Sequence, residues 1–110
     1  MLPRTALPPK HRALYSRLRL LLKRPGLLRG NLVEMHRRCG KKSCRCASDP
    51  SARHRSLYVG LSLDGKHRTL YIPAEWEPTV REWVARYSEV REVLEKISLG
   101  FLDRIEKRKR

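Results

Sequence analysis

Apolar residues recur at helical spacing in the first quarter of the chain. Leu14, Leu18 and Leu21 lie three or four residues apart, and arginines stand between them. This pattern predicts an amphipathic helix with a basic outer face. We predict this helix over residues 10–28. Residues 1–9 contain three prolines, which predict an irregular lead.

A period of two replaces the helical period in the middle of the chain. Apolar and polar residues alternate over residues 31–38, which predicts a short strand. They alternate again over residues 57–63 and 66–72, on either side of Asp64-Gly65. An Asp-Gly pair between two such runs favours a two-residue hairpin turn. We therefore predict a β-hairpin here.

A second helical pattern fills the last third of the chain. Its apolar residues alternate three and four apart, which is typical of a seam that packs against another helix. The seam comprises Val80, Trp83, Tyr87, Val90, Leu94, Ile97 and Phe101. Pro78 suits the first turn of a helix, so we predict a helix over residues 78–108. Because glycine is a poor helix former, we expect the helix to bend or fray beyond Gly100.

These elements together predict an α+β fold. We expect a single small domain over residues 10–110, in which a cysteine-rich knuckle and the hairpin occupy residues 31–73. The chain has 110 residues and one phenylalanine, so its core is small. A bound metal is a common way to stabilise a core of this size.

The knuckle contains every cysteine of the sequence. Cys39, Cys44 and Cys46 fall within eight residues, and His54 follows eight residues after the last. Three thiolates and one imidazole can complete a closed tetrahedral site of the kind that zinc occupies. We predict these four residues as zinc ligands, with His36 as the alternative to His54.

The other two histidines, His11 and His67, are expected at the surface. Redox-active thiols and an iron–sulfur centre are the alternatives to zinc, since a basic environment also activates cysteine. The odd number of cysteines argues against a closed disulfide framework. Charged residues interrupt the leucine-rich stretch near the N-terminus. We therefore expect a cytoplasmic protein that does not enter a membrane.

The formal net charge of +15 lies mostly in the first half of the chain. Residues 1–46 hold thirteen lysines and arginines against the single acid Glu34. A field of one sign attracts polyanions, so we predict that the chain binds DNA or RNA. An acidic protein partner and a simple contribution to solubility are the alternatives.

The basic residues nearest the knuckle and the hairpin are the predicted phosphate contacts. They are Arg37, Arg38, Lys41, Lys42, Arg45, Arg53, Arg55, Lys66 and Arg68. Tyr58 could stack on a base, although packing is the commoner role of a tyrosine at strand spacing. In the alternative function, the chain is an assembly subunit with a purely structural zinc. Its basic half would then dock on an acidic protein or nucleoprotein, and its long helix would pair with the first helix or with a second copy.

Enzymatic motifs are missing from the sequence. It contains no HExxH, no deaminase signature and no glycine-rich phosphate loop. We therefore predict no catalytic activity and no small-molecule substrate. A nucleophile made of Cys44 or Cys46 with His54 is the remaining catalytic alternative.

The order of the motifs resembles a known family. Residues 39–47 read CGKKSCRCA, and they are followed by His54, the hairpin, a Tyr-Ile-Pro sequence at 71–73 and the long helix. Over residues 30–100 this order is similar to an uncharacterised bacterial domain family with the pattern CGKPxCxCA, HGPY, YIP and a helix. The resemblance implies that the four predicted ligands form one constellation, and it implies no established activity. The chain departs from the pattern after His54, where Arg-Ser-Leu replaces Gly-Pro-Tyr.

Overall fold

The computed structural model describes residues 7–37 and 40–108, apart from the side chains of Cys46 and Pro50. In this part of the chain, two α-helices and a three-stranded antiparallel sheet confirm the predicted α+β class. The elements are α1 (Pro9–Lys23), β1 (Asn31–Arg37), β2 (His54–Leu63), β3 (Lys66–Ile72) and α2 (Glu77–Arg108). Short 3₁₀ turns lie at Arg45–Ala47, Pro50–Ala52 and Ala74–Trp76.

The chain divides into two compact units. One comprises Leu28–Val84 and contains the sheet, and the other comprises Met1–Leu27 with Ala85–Arg110 and contains α1. Helix α2 contributes residues to both units. The prediction of a single domain stays a prediction.

The sheet is a meander in which β2 lies between β1 and β3. Its hairpin closes at the pair Leu63↔Lys66, with the predicted Asp64 and Gly65 as the two turn residues. Their φ angles are 51° and 77°, and a two-residue turn of this hand needs positive φ at both positions. Glycine adopts such angles readily and aspartate does so more easily than most residues, which is why this pair predicted the turn correctly.

Strand β1 fixes the position of the cysteine-rich loop. It pairs with β2 from Asn31↔Gly60 to Arg37↔His54. The segment between Arg37 and His54 is therefore a long loop whose two ends are joined by a strand pair. This arrangement sets the base of the knuckle at one end of the sheet.

One face of the sheet forms the core of the first unit. Leu57, Val59, Ile72 and Val80 are buried there. The half-buried residues packed against them are Leu28, Leu32, Trp83 and Val84. Burying a side chain of this size contributes about 1.5–3 kcal/mol, so a core of this extent is modest. Residues 57 and 59 share the buried face, as the alternation over residues 57–63 predicts.

In the second unit α1 packs against the C-terminal part of α2. His11 is only 6 % exposed, and its Nε2 lies 3.0 Å from the carbonyl oxygen of Ile97. A carbonyl can only accept, so Nε2 carries the proton and donates it. The ring also lies 4.7 Å from that of Phe101. The expectation that His11 is a surface residue is therefore wrong.

The buried stripe of α2 differs from the predicted seam in this unit. Val90 and Ile97 are buried as expected, but Val93 is 6 % exposed while Leu94 is 49 % exposed. Gly100 lies on the stripe of Val93 and Ile97, and a Cβ there would meet the His11 ring. The face of α2 that packs against α1 therefore contains Val93 and not Leu94. The helix also continues without a break to Arg108, so the expected fraying is wrong.

A buried arginine closes the turn after α1. Arg86 is 9 % exposed, and its Nη1 donates to the carbonyl oxygens of Pro25 and Gly26 at 2.8 and 2.6 Å. This cation is thus part of the scaffold. Among the helices of the described residues, no segment has the length and apolar character needed to cross a membrane.

Candidate metal centre and nucleic-acid interface

The loop between β1 and β2 is shaped by backbone hydrogen bonds. Gly40 has a φ of 86°, which a residue with a Cβ rarely adopts. The amide of Cys44 donates to the carbonyl of Lys41 at 3.1 Å, and the amide of Ala47 donates to the carbonyl of Cys44 at 3.1 Å. These two successive turns flank Cys44 and set its position in the loop.

Asp49 organises the second half of the loop. Its carboxylate accepts from the amide of Ser51 at 3.0 Å, from the Ser51 hydroxyl at 2.7 Å and from Arg45 Nε at 3.2 Å. The Ser51 hydroxyl and amide, and then Arg45, hold the pKa of Asp49 below its ordinary value.

Two of the four predicted zinc ligands lie together. Cys44 Sγ is 3.2 Å from His54 Nε2. In a tetrahedral zinc site with ordinary bond lengths, a sulfur and a nitrogen ligand are about 3.6 Å apart. The observed separation is thus close to what shared coordination requires, and it is also a hydrogen-bonding distance. The residues fit a metal site as far as this pair can test it.

The strand register distinguishes the two candidate histidines. His54 pairs with Arg37, whereas His36 pairs with Arg55. Neighbouring residues of a strand point to opposite faces, so His36 and His54 lie on opposite faces of the sheet. Since Cys44 contacts His54, the geometry favours His54 as the histidine ligand.

The other predicted ligands fall outside what the structure describes. Cys39 lies outside the described residues, and so does the side chain of Cys46. Within the described part of the chain, no group of three or more histidine, cysteine or acidic side chains is arranged to hold a metal. The complete ligand set therefore stays a prediction.

The predicted phosphate contacts around the loop are exposed. Arg37 lies at the end of β1, with its guanidinium carbon 5.5 Å from the centre of the Tyr58 ring. Lys41 and Lys42 are exposed in the loop. The Arg45 side chain is 79 % exposed, although it pairs with the Asp49 carboxylate at 3.2 Å. Arg38 lies outside the described residues.

Arg55 has a structural partner on each side. It forms ion pairs with Glu34 on β1 and with Glu77 at the start of α2, the latter at 2.9 Å. The hydrogen bond and charge of Arg55 lower the pKa of Glu34, and the two carboxylates raise the pKa of Arg55. Two acids offset its charge, so Arg55 is a weaker candidate for phosphate than the lysines of the loop.

The remaining predicted contacts lie elsewhere on the sheet. Arg53 is half-buried, and its Nε has no hydrogen-bond partner among the described residues. Lys66 and Arg68 are exposed on β3, and they alternate with Tyr71 so that they lie on the other face of the strand. Charged side chains on an edge strand also hinder pairing with other chains, which is a sufficient structural role for these two.

Sequence reasoning missed one aromatic residue of this region. Tyr71 pairs directly with Tyr58, and their ring centres are 5.7 Å apart at 67°. Both residues have the parity opposite to the core residues Val59 and Ile72. The alternation in the sequence was sufficient to place both tyrosines on the outer face.

A family model matches residues 11–82, which include most of α1, the sheet and the start of α2. The chain belongs to the family DUF6788, a domain of unknown function. Membership of an uncharacterised domain family, which the motifs indicated, is therefore confirmed. The matched region begins earlier and ends earlier than the predicted resemblance over residues 30–100, so it includes the basic helix. Comparison with curated proteins and with solved structures finds no significant match.

Proposed function

We propose that the chain is a noncatalytic, zinc-stabilised protein that binds nucleic acid as an accessory of a DNA- or RNA-processing complex. The observation that carries the proposal is the 3.2 Å contact between Cys44 Sγ and His54 Nε2. It brings together two predicted ligands that are ten residues apart in the sequence. The contact lies in the loop that also carries Lys41 and Lys42.

Chain connectivity supports a four-ligand site. Cys39 follows Arg37 by two residues, so its Cα can lie no more than about 7.6 Å from that of Arg37. Arg37 is the strand partner of His54. Cys46 is tethered to Cys44 by the same short length of chain. The chain therefore allows both remaining sulfurs to reach the observed pair.

The donor set accounts for the noncatalytic role. Four protein ligands would complete the tetrahedron of zinc and leave no open position for a substrate or water. The three thiolates also suit a basic loop, because neighbouring cations favour their charged form. We infer a reducing, cytoplasmic setting, which keeps such thiols available for a metal.

The nucleic-acid part of the proposal rests on charge and exposure. Lys41, Lys42 and Arg37 are exposed beside the candidate metal centre, in the half of the chain that carries most of the excess charge. Contacts of this kind neutralise phosphates and release counterions, so affinity should fall steeply as salt rises.

The zinc test measures metal content directly. In protein purified without chelator, we expect one zinc per chain by elemental analysis. The substitutions Cys44→Ser and His54→Ala should lower the zinc content, whereas His36→Ala is the matched control and should retain it. Wild-type protein without stoichiometric zinc would contradict this part of the proposal.

The binding test uses a labelled polynucleotide at several salt concentrations. We expect the double substitution of Lys41 and Lys42 to alanine to weaken binding. It should also reduce the dependence of log K on log salt by about one for each lysine that contacts a phosphate. If wild-type protein binds no polynucleotide at low salt, the nucleic-acid part of the proposal is wrong.

A catalytic thiol is distinguished by its reactivity. A Cys–His pair at 3.2 Å is also the geometry of an activated nucleophile. Under our proposal, metal-loaded protein should react slowly with iodoacetamide and become reactive after chelation. Rapid alkylation of Cys44 in metal-loaded protein would favour the catalytic alternative.

The exposed apolar residues of α2 favour a second candidate function, that of an assembly subunit. Leu94, Leu102 and Ile105 are between 49 % and 58 % exposed. Surface leucine and isoleucine in such number are typical of a helix that pairs with a partner. If this role is correct, sedimentation analysis should detect a dimer, and Leu94→Glu should dissociate it. A monomer at all concentrations would leave only a partner protein for this surface.

A further inference from the structure

The outer face of the sheet carries two tyrosines and a valine in one row. Val33, Tyr58 and Tyr71 lie side by side on β1, β2 and β3, because the register pairs Tyr58 with both of the others. Tyr71 is 59 % exposed and Val33 is 40 % exposed. The row therefore presents ring surface to solvent on the face opposite the core.

Small residues flank the two tyrosines along β2 and β3. Ser56 and Gly60 lie two positions before and after Tyr58 on the same face of β2, and Thr69 lies beside Tyr71 on β3. None of these side chains extends as far from the sheet as a tyrosine ring. The Tyr71 ring is thus exposed, whereas the Tyr58 ring is half-buried and has the Arg37 guanidinium against it.

The charge of the outer face favours an anion. According to the strand register, the outer face contains four residues of β1, five of β2 and three of β3. None of these residues is acidic. Glu34, the single acid of β1, lies on the other face with its partner Leu57. Arg37 lies on the outer face and contacts the Tyr58 ring. His54 shares this face with them and leads directly from the basic loop.

We infer that the outer face binds single-stranded nucleic acid by stacking an unpaired base on Tyr71, with Tyr58 and Arg37 beside it. This inference rests on the proposed function and names its substrate class. A flat exposed ring can stack only on a base whose face is accessible, and the bases of a duplex are already stacked on one another. The phosphates would then run toward Arg37 and the lysines of the loop.

The test compares a labelled single-stranded oligonucleotide with the duplex of the same sequence, as DNA and as RNA. Tyr71→Ala should weaken single-strand binding about 5- to 150-fold, which corresponds to the loss of one stacked base. Duplex binding should change little. Tyr71→Phe keeps the ring and should bind like wild type.

The control variant lies on the same strand. Leu70→Ala removes a side chain of similar exposure (48 %) from the opposite face, and it should leave single-strand binding unchanged. The urea midpoint of each variant shows that loss of binding is not loss of folding. Photo-crosslinking of a bromouracil-containing strand to wild-type protein, mapped by mass spectrometry, should identify Tyr71 or Tyr58.

Two negative results have different meanings. If Tyr71→Ala binds the single strand as tightly as wild type and the crosslinks map elsewhere, the stacking face is wrong while salt-dependent binding still supports the proposed function. If wild-type protein binds neither single strands nor duplexes, the proposed function and this inference both fail.

Discussion

The replacement Gly100→Ala tests how closely the two helices approach. In an exposed helix interior, alanine is more favourable than glycine by about 1 kcal/mol. At Gly100, however, an ideal Cβ would lie 2.5 Å from Nε2 of His11 and 3.0 Å from its Cδ2. The His11 ring is buried and donates to the Ile97 carbonyl, so it cannot move without weakening that hydrogen bond.

The two opposing effects can be compared. Overpacking a buried contact costs about 1–3 kcal/mol. Weakening the His11–Ile97 hydrogen bond costs about 1 kcal/mol more. Subtracting the helix-propensity gain leaves an expected loss of about 1–3 kcal/mol in the free energy of unfolding. For a chain of this size, each kcal/mol lowers the melting temperature by about 4–8 °C.

Urea unfolding followed by far-ultraviolet circular dichroism measures this loss. Ser98→Ala, at an exposed position of the same helix, is the matched control and should change stability by less than about 0.5 kcal/mol. In a His11→Ala background the added methyl group has room, so Gly100→Ala should no longer destabilise. A gain of about 1 kcal/mol from Gly100→Ala in the wild-type background, as propensity alone requires, would refute the close contact.

Three further predictions concern the sheet and the loop. Arg55→Gln should raise the pKa of Glu34 toward its ordinary value of 4.5, as measured by carboxyl NMR titration. Because Arg55 lowers the pKa of Glu34 in the folded protein, this ion pair stabilises the fold fully above pH 4.5, and the stabilisation is lost as the pH falls through the lowered pKa. Arg55→Gln should therefore flatten the dependence of the free energy of unfolding on pH in this range. An unchanged dependence would contradict the ion pair. Chelation of zinc should speed amide exchange in residues 40–53 far more than in the central strand, and uniform exchange would contradict a local metal clamp. Gly30→Ala would place a Cβ 2.6 Å from Cγ2 of Val59, so the free energy of unfolding should fall by about 1–3 kcal/mol, as for an overpacked core, and the urea midpoint should fall with it; an unchanged midpoint would show that this contact is loose.

The features that the sequence predicted well depend on neighbouring residues. The Asp64-Gly65 turn needs only its own backbone angles, and the parity of Leu57 and Val59 needs only the period of a strand. The contact of Cys44 with His54 was predicted from ligand chemistry, because a thiolate and an imidazole at the base of one loop share few other roles. The metal itself stays a prediction.

The features that the sequence did not predict depend on contacts between residues that are far apart in the sequence. The residues next to His11 in the sequence are those expected around a surface histidine. It is buried because α2 packs against it. Val93 is buried in place of the predicted Leu94 for the same reason, because both positions fit a helical period. Similarly, the acids nearest to Arg55 in the sequence are Asp49 and Asp64, and only the register of β1 brings Glu34 to its side.

The candidate metal centre and the aromatic face are linked through β2. His54 and Tyr58 are four residues apart on the same face of this strand, which corresponds to about 13 Å. The exposed Tyr71 contributes little to folding and the basic loop disfavours it through charge repulsion, while the apolar core of this unit has only a few fully buried side chains. A metal bound at His54 would fix the loop against the end of the sheet and offset part of that cost. If so, removal of zinc should weaken binding of single strands more than Tyr71→Ala does, because it releases both Lys41 and Lys42, whereas Tyr71→Ala removes the stacking of a single base.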